Sequence, residues 1–185
     1  MEEITIMARG GQGAVTASQI LAKAAFKDGF FAQTFPKFGA ERRGAPVMAY
    51  VRIDKEPIST RSKIYTPNVV IVMDSSLFQV MNPLQGIKSD GMVILNHPDS
   101  NKAPSLELEK TAEQPFMVDA TRLAHKIYGQ TTIPITNVII TGAYCAAKKL
   151  VSLEAVKHVL PDFFPKETVE KNIMAAELGF QGLRR

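Results

Sequence analysis

Residues 8–14 read Ala8-Arg9-Gly10-Gly11-Gln12-Gly13-Ala14, between the apolar Ile4, Ile6 and Met7 and a helical stripe running from Ala14 to Phe26. A glycine turn entering a helix leaves the first helical amides without intrahelical partners, and such N–H groups attract anions. Glycine also lets the backbone bend and approach a ligand with no Cβ in the way. Arg9 adds a permanent charge with a forked set of donors, and Gln12 adds an amide. Arg9, Gly10, Gly11, Gln12 and Gly13 are therefore one candidate phosphate-binding group. The plainer reading of the same residues, a tight strand-to-helix turn with no ligand, stays open.

A second group lies downstream. Residues 35–46 carry Lys37, Arg42 and Arg43 together with Phe35, Phe38, two glycines and two prolines, and show no apolar periodicity. Such a stretch reads as a shaped basic loop. In a βα fold it would return to the sheet end that carries the glycine turn, making a basic rim over a glycine floor. Lys37, Arg42 and Arg43 are then further candidates for anion binding. A solvated loop pairing with Glu41, or with acids of a partner, is the alternative.

Several chemistries are excluded. A dinucleotide fingerprint would start with glycine where Ala8 stands, and it wants an acid about 20 residues on, where Gln33 and Thr34 sit. The Gly-Lys-Ser/Thr triplet of a nucleoside-triphosphate P-loop is missing. Cys145 is the lone cysteine, so the chain can hold neither a four-cysteine iron–sulfur cluster nor an internal disulfide. His97, His125 and His158 lie far apart, which gives no metal motif. Asp74 and Asp119 close apolar strands but have no histidine or serine at a motif spacing. Thr16, Ser18 and Thr136 have no activating base. No residue is assigned a catalytic role, and none a metal.

The elements that position these groups follow from local pattern. Val69–Met73 is a buried strand ending in Asp74, and Asp74 or Ser75 caps a short helix over 75–81. Strands are predicted at 92–95 and 116–118, and helices at 121–128 and from Asn137 to Leu150. A further helix is capped by Ser152 and stops before Pro161, and a last one follows Pro165, runs through Glu177 and is ended by Gly179. The strand over 47–53 reads as a hairpin with 57–64, which would make the sheet mixed. The expectation is an α/β, Rossmann-like three-layer fold with a mostly parallel sheet, forming a single domain over residues 1–185. The composition is that of a globular domain, 45% apolar and 22% charged, with a net charge of +4 and no polybasic run. No nucleic-acid partner, membrane span or signal peptide is expected, and the location expected is cytoplasmic.

Five segments taken together resemble one family. They are Arg9–Thr16, Phe38–Pro46, Asn68–Leu77, Val118–Thr121 and Asn137–Ala143, with a similar ending from Val169 to Gly179. Their order and spacing resemble the gamma subunit of the 2-oxoacid:ferredoxin oxidoreductases, the pyruvate-type enzymes in particular, from about residue 3 to residue 180. Ala8 is a departure, because many relatives carry glycine there. The resemblance implies a subunit of a complex that oxidatively decarboxylates pyruvate or a related 2-oxoacid to acyl-CoA, with ferredoxin as electron acceptor. It implies companion alpha, beta and delta subunits that hold thiamine diphosphate, magnesium and [4Fe-4S] clusters, none of them held by this chain. Coenzyme A binding and subunit packing are the roles it implies for this chain, which would not be active alone. Two other readings remain: a purely structural subunit of that complex, and an independent nucleotide-binding module of Rossmann-like type.

Overall fold

The computed structural model describes residues 1–37, 44–98 and 115–185. Six strands form one sheet: β1 (Glu2–Arg9), β2 (Phe31–Pro36), β3 (Pro46–Asp54), β4 (Val69–Val72), β5 (Met92–Asn96) and β6 (Phe116–Val118). Their order is β2-β3-β1-β4-β5-β6. The parallel half, β1-β4-β5-β6, comes from crossover connections, and β3 joins it antiparallel to both β1 and β2. The expected mixed sheet is present, but the partner strand differs. Residues 47–53 pair with β2 rather than with 57–64, with Phe35 opposite Tyr50 and Pro36 opposite Ala49.

Five helices follow: α1 (Ala14–Lys27), α2 (Ala120–Tyr128), α3 (Asn137–Lys148), α4 (Leu153–Val159) and α5 (Lys166–Gln181). All five contribute to one apolar core with Ile4, Ile6, Val51, Ile71 and Ile94, so they cover the same face of the sheet. Alternation along each strand sends the other residues to the opposite face. There Met7, Val70, Val72 and Leu95 pack beneath Leu77 and Leu84. The layer on that side, among the described residues, is the expected short helix, of 3₁₀ type over Ser75–Gln79, and the turns after it, with no α-helix.

Caps mark the element ends. Asp74 accepts from the Ser76 amide, Asp119 from the Arg122 amide and Ser152 from the Ala155 amide. Asn137 is the first residue of α3, and its Oδ1 accepts from the Val138 amide. Gly179 does not end α5, which runs on to Gln181. Its role is close approach: a Cβ there would stand 1.9 Å from the Ile139 carbonyl oxygen, and one at Gly142 would stand 2.0 Å from that of Ala176. Helices α3 and α5 thus cross with backbone almost touching backbone.

Candidate functional site

The chain leaves β1 toward β2 on one side of the sheet and reaches β4 on the other, so the strand order reverses beside β1. In open α/β sheets, a crevice opens at such a switch point, outside the carboxyl ends of the strands. Here the strand ends bring Arg9, Asp74, Asn96 and Asp119 to one cleft of about 700 Å³. Thr121, Arg122 and His125 of α2 line one side, and Thr132, Ile133 and Pro134 wall another.

The glycine turn is built by contacts inside the protein. Gly11 and Gly13 adopt φ of 100° and 86°, the left-handed region that penalises a side chain. The space of a Cβ at Gly13 is occupied by the Asn137 side chain, 2.8 Å away, and that at Gly11 faces Ile133 at 3.3 Å. The Gly10 amide donates to the Ala45 carbonyl (2.8 Å), and the Gln12 amide donates to the Arg9 carbonyl (3.1 Å). These two donors are consumed by the fold. Gly13 caps α1 with no side-chain hydrogen bond.

Asp74 is the hub of a polar network across the switch point. Its Oδ1 accepts from the Ser76 amide (3.0 Å) and hydroxyl (2.5 Å), and its Oδ2 accepts from Gln12 Nε2 (2.8 Å). Gln12, 5% exposed, returns its Oε1 to the Arg9 amide at 2.8 Å. Arg9 donates from Nε to Ser76 Oγ (2.8 Å) and from Nη1 to the Gly44 carbonyl (3.0 Å), with Nε 3.8 Å from Asp74 Oδ2. A guanidinium carries five N–H donors, more than Ser76 and Gly44 use.

Gly44, after the loop's two arginines, lies at this edge. Gly44 donates to the Gly10 carbonyl (3.1 Å) and lines the cleft. Arg42 and Arg43, directly before it, lie outside the described residues. Lys37 is not brought to the cleft. It lines a separate depression of about 300 Å³ on the opposite face, with Tyr50, Lys63 and Tyr65. Asn96, Thr121, Arg122 and His125 are cleft residues that motif reasoning missed. Asn96 had a usable signal, since it ends a buried strand as Asp74 does. Its Nδ2 donates to the Met73 carbonyl (2.9 Å) and to Thr121 Oγ1 (3.0 Å), tying β5 to β4 and α2.

Among the described residues, no group of three or more His, Cys, Asp and Glu side chains is arranged to hold a metal ion. Cys145 is buried in α3, and burial foremost, then the charge of Asp28, pushes its thiol up to about 12. It is a packing residue, not a nucleophile.

Residues 3–182 match the family described as pyruvate ferredoxin/flavodoxin oxidoreductase. The chain belongs to that family. It is 45% identical to the pyruvate/ketoisovalerate oxidoreductases common subunit gamma of Pyrococcus abyssi, over 98% of this chain and 96% of that one. With the pyruvate synthase subunit PorC of Methanocaldococcus jannaschii the identity is 46%, covering 97% and 96%. The crystal structure of pyruvate oxidoreductase subunit PORC from Thermotoga maritima superposes with a TM-score of 0.79 at 31% identity, over 99% of this chain and 97% of that one. A 2-oxoglutarate:ferredoxin oxidoreductase from Magnetococcus marinus, with 2-oxoglutarate, coenzyme A and succinyl-CoA bound, shares the fold. Its TM-score is 0.74 at 19% identity, over 96% of this chain and 30% of that longer one. The first of these relatives is a common gamma subunit, the next two are PorC subunits of pyruvate enzymes, and the last is a longer chain that includes the same fold. Among the described residues of this family member, no helix is long and apolar enough to cross a membrane.

Proposed function

We propose that this chain, acting as one domain over residues 1–185, is the gamma subunit of a cytoplasmic pyruvate-type 2-oxoacid:ferredoxin oxidoreductase. In this reading its switch-point cleft receives the phosphorylated part of coenzyme A. Companion alpha, beta and delta subunits hold the thiamine diphosphate, magnesium and [4Fe-4S] clusters and deliver electrons to ferredoxin. The observation that carries the reading is Arg9, fixed at the carboxyl edge of β1 beside an open cleft and joined to the root of a basic hairpin at Gly44.

Coenzyme A carries a pyrophosphate and a 3′-phosphate, so it needs two cationic stations. Arg9 is one, beside the glycine turn; Arg42 and Arg43 are the other. Gln12 and Gly13 shape the floor, while Gly10 and Gly11 hold the turn to the hairpin and to Ile133. Lys37, on the far face, adds to the attractive field at the approach rather than touching the carrier. Each charge-assisted phosphate contact is worth about 1.5–3 kcal/mol. Replacing Arg42 and Arg43 together with alanine in the assembled complex should raise the KM for coenzyme A by about a hundredfold or more while thiamine diphosphate still binds. An assembled complex with unchanged coenzyme A dependence would refute the assignment.

A second reading has an observation of its own. The Gly10 and Gln12 amides and the Gln12 side chain are all engaged within the protein, as in a turn that serves packing alone. If the chain is a purely structural subunit, the double arginine variant will weaken assembly and leave the KM for coenzyme A unmoved.

A further inference from the structure

Asp74 does two separable things. Through Oδ1 it caps the turn after β4, accepting from the Ser76 amide and hydroxyl. Through Oδ2 it receives the Gln12 amide from across the switch point and stands 3.8 Å from the Arg9 guanidinium. Capping needs only one oxygen. The second oxygen, then, does work that the local turn does not require.

Gln12 is nearly buried, and both ends of its amide are engaged: Oε1 holds the Arg9 backbone, and Nε2 is held by Asp74. Arg9 is fixed at three further places, by Ser76 Oγ, by the Gly44 carbonyl and by the Asp74 charge. Asp74 thus fixes Arg9 from both ends, its backbone through Gln12 and its guanidinium through Ser76 and charge. The Gly44 carbonyl passes that position to the root of the hairpin. An unanchored arginine side chain loses about 2 kcal/mol of rotamer freedom when a ligand orders it, and a prefixed one has already lost it.

We infer that Asp74 is a positioning residue for the cleft's anion site: its second carboxylate oxygen, acting through Gln12, holds Arg9, and Gly44 with it, in the orientation that meets a phosphate. This rests on the reading of the cleft given above, and it assigns Asp74 no contact with the ligand or the reacting atoms.

The test exploits the difference between a carboxylate and an amide. Asp74→Asn keeps an oxygen for the Ser76 cap, and asparagine caps as well as aspartate does. It turns an NH₂ toward Gln12 Nε2, setting donor against donor, and it removes the charge beside Arg9. In the assembled complex, the KM for coenzyme A should rise about tenfold while kcat at saturation moves less than KM does. Adding Gln12→Glu restores an acceptor opposite that NH₂, still accepts from the Arg9 amide and returns a negative charge, so the double variant should recover most of the loss. Arg9→Gln is the reference for the parent reading. If Arg9→Gln raises KM but Asp74→Asn does not, the positioning role is wrong and the phosphate site stands. If Arg9→Gln leaves KM unchanged, the phosphate site itself falls and the inference with it. Equal loss in kcat and KM for Asp74→Asn, or no recovery in the double variant, would show that Asp74 supports the fold and nothing more.

Discussion

Replacing Gly179 with alanine is the sharpest test of how the helical layer is built. Alanine is the better helix former by about 1 kcal/mol, so propensity alone expects stabilisation. The structure expects the opposite. The new methyl would lie 1.9 Å from the Ile139 carbonyl oxygen, 2.7 Å from its carbon and 3.0 Å from its Cα. All three are backbone atoms of α3, so no side chain can swing aside. Reaching ordinary contact means parting α3 from α5 by about 1.5 Å at their crossing, in a core that is close-packed. Overpacking of that kind costs about 3 kcal/mol or more, leaving a net loss of about 2 kcal/mol after the propensity gain. For a chain of this size that lowers the melting midpoint by roughly 4–8 °C. Gly142→Ala meets the Ala176 carbonyl at 2.0 Å and should behave alike, and the double variant should lose less than the sum because one separation relieves both clashes. Thermal unfolding followed by circular dichroism measures this directly. A midpoint equal to or above that of the parent protein would refute the backbone-contact argument and leave propensity in charge.

Two further outcomes follow from buried ionisable groups. Burial raises the Tyr128 phenol to about 12, and raises the Tyr144 phenol and the Cys145 thiol as well. The unfolded chain ionises these groups near their ordinary values of about 8.5 for thiols and 10 for phenols. Above those values it binds fewer protons than the native state, so stability is complete below about pH 8.5 and falls as pH rises toward about 12, each group costing up to about 1.4 kcal/mol per pH unit. Urea midpoints between pH 8 and pH 11 should fall steadily, and a flat profile would contradict the burial of these groups. On the other face of the sheet Arg52 is 1% exposed and pairs with Glu3 at 2.9 Å, its guanidinium 5.3 Å from the centre of the Phe35 ring. Glu3→Ala removes the carboxylate and leaves Arg52 only long bonds of 3.4 Å to Gln33 Oε1 and the Thr60 carbonyl, which should cost up to about 3–5 kcal/mol in urea unfolding. A loss under about 0.5 kcal/mol, the scale of an exposed pair, would mean that the ring, Gln33 and the Thr60 carbonyl suffice to hold Arg52.

How much was legible depended on whether the cause was local. The strand–turn–helix over 4–27 and the buried run at 69–73 show in the sequence because periodicity and caps act within a few residues. The partner of residues 47–53 did not show, because alternation makes a strand without saying which edge it will join. Gly179 was misread for a related reason. Near a helix end, glycine is an ordinary stop signal, and only the position of Ile139, forty residues earlier in the chain, reveals that it is there to let two backbones meet. Asp74 was legible as a cap, since Ser76 is two residues away, but its bond to Gln12 spans 62 positions and leaves no trace in either segment. The far wall of the cleft, Thr132 to Pro134, carries no motif at all.

The glycine turn shows why the distinction matters for function. Read locally, Gly10–Gly13 is a cradle in which missing side chains make room for a ligand. In the fold, that room is already used: Asn137 fills the place of a Cβ at Gly13, Ile133 faces Gly11, and Ala45 takes the Gly10 amide. The small residues are required by α3 and the hairpin before any ligand arrives. A phosphate therefore cannot settle into the turn from the α3 side without displacing a buried asparagine that is 5% exposed. The open approach lies along the other edge, where Arg9 and Gly44 face the cleft. In the proposed reading, selectivity for an anion at this site rests on how Arg9 is held, and the groups that hold it lie in the turns after β1 and β4 and at the loop root before β3.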